Sequence, residues 1–71
     1  MAAAAEPSSR EILEAAARVC TEKQLEALVL YETGLGVRRL AAALGVNPTA
    51  ARDRLDGGMR KVQRELERAA T

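Results

Sequence analysis

Histidine, phenylalanine and tryptophan are absent, and tyrosine and cysteine occur once each, as Tyr31 and Cys20. Without histidine or a second cysteine the chain has no zinc-ligand spacing and no disulfide of its own, so neither a metal nor another cofactor is expected. A nucleophile paired with a base and a glycine-rich phosphate loop are also missing, so an enzyme is not expected. One aromatic ring and many alanines make a thin, closely packed core, which leaves little space for an enclosed substrate pocket. No apolar run approaches the ~20 residues of a membrane helix, and Met1 to Ser9, MAAAAEPSS, lacks the basic start of a signal peptide. No membrane partner is expected, residues 1–9 read as a disordered tail, and unpaired cysteine usage fits a reducing, cytoplasmic setting. Cys20 has no activating neighbour in sequence and reads as a small buried hydrophobe.

What is present points to helices. The chain has 71 residues, enough for one small domain over residues 10–71, and near this size only about 60% of the unfolded surface is buried. Alanine and leucine dominate and strand-forming runs are lacking, so the fold class is all-α: a small bundle of four to five helices. The formal net charge is only +1, yet it is unevenly spread. Residues 1–32 hold three basic against six acidic side chains, whereas residues 33–64 hold seven basic against two acidic. That asymmetry suits a basic face turned toward phosphates, although it is modest for a monomer acting alone.

The pattern of caps divides the chain. Ser8 or Ser9 can cap a helix from Arg10 to about Cys20, with Ile12, Leu13, Ala16, Val19 and Cys20 on one side. Thr21-Glu22-Lys23-Gln24 matches a capping box, so a second helix starts there and runs to about Thr33, its stripe being Leu25, Leu28, Val29 and the stem of Glu32. Gly34 ends it as a left-handed cap. Tyr31 reads as a partly buried core edge, with contact to a phosphate or partner as the alternative. Residues 37–56 carry the marks of a helix-turn-helix. Val37, Leu40, Ala41 and Leu44 recur at helical spacing, Gly45 stops the helix, Val46 fills the turn, and Asn47-Pro48 supplies an N-cap and a first-turn proline. Ala51 and Leu55 face inward in the second helix, leaving Thr49, Arg52, Asp53 and Asp56 outward.

Gly57-Gly58 then costs about 2 kcal/mol of helix propensity relative to alanine, which predicts an end or kink near Asp56. A last helix is expected over residues 59 to about 70. Met59, Val62, Leu66 and Ala69 form its apolar seam, which either completes the core or makes a small homodimer interface.

From Thr21 to Val62 the chain resembles region 4 of sigma-70-type RNA polymerase sigma factors and, nearly as closely, the DNA-binding domain of LuxR-type regulators. The resemblance is carried by TEKQLEALVLYETGLGVRRLAAALGVNPTAARDRL: a Thr-Glu-basic-Gln helix start, a glycine-ended helix and an Ala-x-x-x-Gly turn. It implies that Thr49, Arg52, Asp53 and Arg54 occupy positions used on DNA. The chemistry of Arg52 agrees, since its planar fork can bond guanine O6 and N7 together, and Thr49 can meet a thymine methyl or a phosphate. Asp53 and Asp56 depart from the pattern, because carboxylates repel phosphate unless Asp53 accepts from a cytosine amine. The glycine pair departs too, standing where a basic helix usually continues. Arg38 and Arg39, in the first turn of the helix that crosses the backbone, can clamp phosphate or pair with a glutamate of the preceding helix, the two readings weighing about equally. Asn47, Arg60 and Lys61 complete the candidate DNA-contacting set.

The function expected is a stand-alone, sequence-specific transcription regulator on double-stranded DNA, of bacterial or phage type, found with the nucleoid when bound and falling short of a complete sigma factor. The alternative is an interaction module of the same fold that binds RNA polymerase or another transcription protein, as the resemblance also implies. Asp53, Asp56, the glycine pair and the low net charge favour that alternative.

Overall fold

Four helices form in a computed structural model that describes residues 7–70: α1 (Ser9–Val19), α2 (Glu22–Glu32), α3 (Val37–Leu44) and α4 (Pro48–Ala70). The protein is all-α, with no strand among the described residues. The tail expected over residues 1–9 lies outside the described residues as far as residue 6, and Ser9 already belongs to α1.

Local chemistry sets the helix boundaries. Ser8 Oγ accepts from the Glu11 amide at 3.2 Å while the Ser8 amide donates back to Glu11 Oε1. Thr21 and Gln24 repeat the reciprocal pattern at the start of α2, at 3.2 and 3.0 Å. Each box satisfies orphan amides that a helix start otherwise leaves to water. The α2 and α3 ends are glycine-made. Gly34 and Gly45 stand at φ 102° and 72°, a region costly for residues with a Cβ. At α3 the Val46 amide bonds the Ala41 carbonyl and the Gly45 amide bonds that of Ala42, the paired closure of a Schellman motif. Leu35 and Gly34 close α2 on Leu30 and Tyr31 in the same way.

The core consists of Ala15, Ala16, Ala27, Leu28, Leu40, Ala41, Ala51, Leu55 and Val62. Five of these nine are alanines, so the helices approach closely instead of being spaced by large side chains. One expected core residue is displaced. Val29 is 41% exposed, because it lies about 100° round α2 from the fully buried Leu28, and the buried partner beside Leu28 is Ala27.

The larger correction concerns the glycine pair. α4 runs unbroken for 23 residues from Pro48 to Ala70, through Gly57 and Gly58. Packing explains both the glycines and the continuity. A Cβ on Gly58 would stand 3.0 Å from Leu28 Cδ1 and 3.4 Å from Gln24 Cβ, and one on Gly57 would stand 3.0 Å from Gln24 Nε2. The missing side chains therefore let α4 settle directly on α2, and the contact offsets the propensity cost that predicted a break. Cys20 joins this junction, its half-buried thiol donating to the Gly58 carbonyl at 3.5 Å. Burial favours the neutral thiol and pushes the Cys20 pKa up, and the nearby Lys61 cation, which favours the thiolate, only partly opposes it.

Beyond the glycines α4 meets α1. Val62 is fully enclosed by its own chain, Met59 and Leu66 pack against the core at partial burial, and Ala69 is exposed. The seam thus completes the monomer's core. Between Val62 and Leu66 the carboxylate of Glu65 is only 6% exposed. Arg18 of α1 donates to it at 2.9 Å and Arg68 at 2.9–3.1 Å. First the Arg18 hydrogen bond, then that of Arg68, holds the Glu65 pKa below the ordinary glutamate value despite its desolvation.

Two predictions follow from these junctions. Gly58→Ala should lower unfolding stability by about 1–2 kcal/mol, because overpacking against the enclosed Leu28 outweighs the roughly 1 kcal/mol propensity gain, whereas Gly57→Ala, which meets only a terminal amide, should leave stability level or raised. Urea unfolding of both variants checks the order. For Glu65, a lowered folded-state pKa means stability that is present above the unfolded value of about 4.3 and is lost as pH falls through the folded one. The stability gap between wild type and Glu65→Gln should therefore be widest at neutral pH and shrink in acid, as thermal melts across that range would show.

Candidate nucleic-acid interface

α3, the Gly45-Val46-Asn47 turn and α4 make the helix-turn-helix unit. Asn47 Oδ1 accepts from the Ala50 amide at 2.8 Å, so this side-chain oxygen is committed to capping α4. Of the expected contact residues, Asn47 alone has its acceptor engaged inside the fold.

Helical geometry sorts the others. Leu55, Gly58 and Val62 mark the buried side of α4. At 100° per residue, Thr49, Asp53, Asp56, Arg60 and Arg64 fall along the opposite side as one ridge. All five are exposed. Arg52 is exposed on one flank, where it lines a shallow cleft of about 270 Å³ with Tyr31, Val37, Leu55, Asp56 and Met59. Tyr31 is 47% exposed at this cleft, so its ring and hydroxyl are open to solvent beside Arg52 to a greater extent than the expected core-edge position. Arg54 and Lys61 occupy the other flank and are half-buried. Lys61 lies near Cys20, placing it toward α1 and away from the outward ridge.

Ion pairing leaves the candidate contact residues out. Among the described residues the salt bridges are Arg10–Glu14, Arg18–Glu65 and Arg68–Glu65. None involves Arg38, Arg39, Arg52, Arg54, Arg60, Lys61 or Arg64. Arg38 and Arg39 are exposed in the first turn of α3, and the pairing with an α2 glutamate that sequence allowed is not formed. Asp53 and Asp56 form no salt bridge either, so the ridge presents carboxylates in its first turns and guanidinium groups beyond them. Unpaired guanidinium groups are suited to phosphate and to guanine edges, and an exposed carboxylate to a cytosine amine. Among the described residues no cluster of three acidic or cysteine side chains could hold a metal ion, and no helix is long and apolar enough to cross a membrane.

In comparisons with protein-family models, curated proteins and solved structures, none matches this chain.

Arg64 belongs to this surface without having been among the candidates, and Tyr31, expected first as a core edge, is exposed beside it. Arg64 joins the ridge because α4 does not break, being eleven residues past Asp53 and thus almost on the same meridian. Tyr31 joins through the approach of α2 to α4, which is not encoded in local spacing.

Because Asn47 starts the helix that carries the whole ridge, Asn47→Ala should cost about 1 kcal/mol of unfolding stability, the usual loss of an N-cap. Asn47→Asp should keep most of it. Chemical denaturation of the two variants tests this, and equal losses would show that the Oδ1 cap contributes nothing.

Proposed function

We propose that this protein is a sequence-specific DNA-binding transcription regulator that sets the first turns of α4 in the major groove, with Arg38 and Arg39 of α3 on the phosphate backbone. The observation that supports it best is the set of exposed arginines on α3 and α4 that have no internal partner, within a helix-turn-helix closed by Gly45 and capped by Asn47. In this reading Arg52 contacts guanine, Thr49 contacts a thymine methyl or a phosphate, and Asp53 selects for a cytosine amine. Two copies on a two-part site would compensate for the modest charge of one, with Ala69 and the rims of Met59 and Leu66 as the apolar surface they share.

A second reading is favoured by a specific feature. Leu25, Val29, Leu30, Ala43 and Leu44 line an apolar cleft of about 440 Å³ between α2 and α3, bordered by Glu22 and Glu26 and containing no residue of α4. An apolar cleft of this kind suits a protein partner, RNA polymerase or another transcription protein, and it could act with or without DNA on the other elements.

Fluorescence anisotropy with mixed-sequence duplex DNA at low and physiological salt separates the two. The DNA reading expects binding that falls steeply with salt and an Arg52→Ala loss of about 1–3 kcal/mol on the preferred sequence. Absence of binding at low salt would reject it and turn attention to the α2–α3 cleft.

A further inference from the structure

The unbroken α4 is longer than a DNA groove is wide. Twenty-three residues span about 34 Å, against a major groove of about 12 Å. Where its axis crosses the groove, a helix whose first turns lie there carries its second half out past the bordering sugar-phosphate strand. On the outward ridge Arg60 lies about 10 Å beyond Asp53 and Arg64 about 16 Å beyond it. Both are exposed, and neither is in a salt bridge among the described residues. Asp56, one turn before Arg60, forms no salt bridge with it among the described residues, and Glu67 follows Arg64 on the same side.

We infer that the distal half of α4 is a phosphate anchor: Arg60 and Arg64 engage the strand that borders the major groove, on the same ridge from which Thr49 and Asp53 meet the bases. This rests on the DNA-binding reading and adds a division of labour to it. The proximal turns discriminate sequence, and the distal turns supply affinity that is independent of sequence. The glycine pair enables this arrangement, because a break at Asp56 would remove Arg60 and Arg64 from the ridge.

The test uses the full chain with Arg60→Ala/Arg64→Ala and, separately, Arg60→Lys/Arg64→Lys, titrated by anisotropy against several duplexes of different sequence over a range of salt. Both sites are exposed, so circular dichroism and thermal melts should match wild type. Removing two phosphate contacts should reduce the slope of log affinity against log salt by about 2 and weaken binding by a similar factor on every duplex. The lysine variant should keep the slope, since a phosphate requires charge and not a planar fork. If wild type binds but the alanine variant keeps its slope, or loses affinity on one sequence only, the anchor is refuted while DNA binding stands. If wild type fails to bind any duplex, both fall.

Discussion

The bundle depends on how closely α4 can approach α2 at Gly58. A side chain there would meet Leu28, which is fully buried. Leaving the position without a Cβ costs about 1 kcal/mol of helix propensity, while complete burial of a leucine contributes about 1.5–3 kcal/mol. The exchange favours packing, and its consequence extends well beyond the contact. With α4 seated on α2, one continuous helix can reach α3 with Ala51 and Leu55 and α1 with Val62 and Glu65. In a core made largely of alanines there are few large side chains to define the register, so the glycine-leucine contact and the Arg18–Glu65 bridge fix the position of α4 along its axis.

The same arrangement sorts the charges. Three acidic groups of the first half are used within the fold: Glu11 in a capping box, Glu14 with Arg10, and Glu32 accepting from the Ser9 hydroxyl. Glu65 binds Arg18 and Arg68 at the far end of α4. The arginines of α3 and of the outward side of α4 have no such partners. A net charge near zero thus conceals an uneven distribution, in which the exposed arginines of α3 and α4 share their surface with Asp53 and Asp56, and it is the local field there that a polyanion would meet.

Much of the fold was legible in the sequence because helix ends are local events. Thr21 with Gln24, Gly34, Gly45 and Asn47 each act on amides or carbonyls within a few residues and do what their spacing implies, and of the two serines offered for α1 it is Ser8 that caps, with Glu11 completing its box. The Gly57-Gly58 break was misread because propensity is local, while the reason for the glycines lies on α2, some thirty positions earlier in the chain. Glu65 was equally hidden: a charge between Val62 and Leu66 has meaning only once Arg18 is brought beside it. Within the candidate surface, the outward positions of Thr49, Arg52, Asp53 and Asp56 followed from the helical period. Arg64 and the true bearing of Lys61 required the helix to be continuous, and the exposure of Tyr31 required knowing how α2 lies against α4.

On the proposed reading, the first turn of α3 and the outward side of α4, with their unpaired arginines, are the surface that meets DNA. Amide chemical-shift mapping by NMR, on titrating the full chain with duplex DNA at low salt, tests it most directly. The account predicts shifts concentrated at Arg38, Arg39 and the outward positions of α4 from Thr49 to Arg64, with Leu25 and Val29 unmoved. Shifts centred on the α2–α3 cleft, or none along α4, would contradict it.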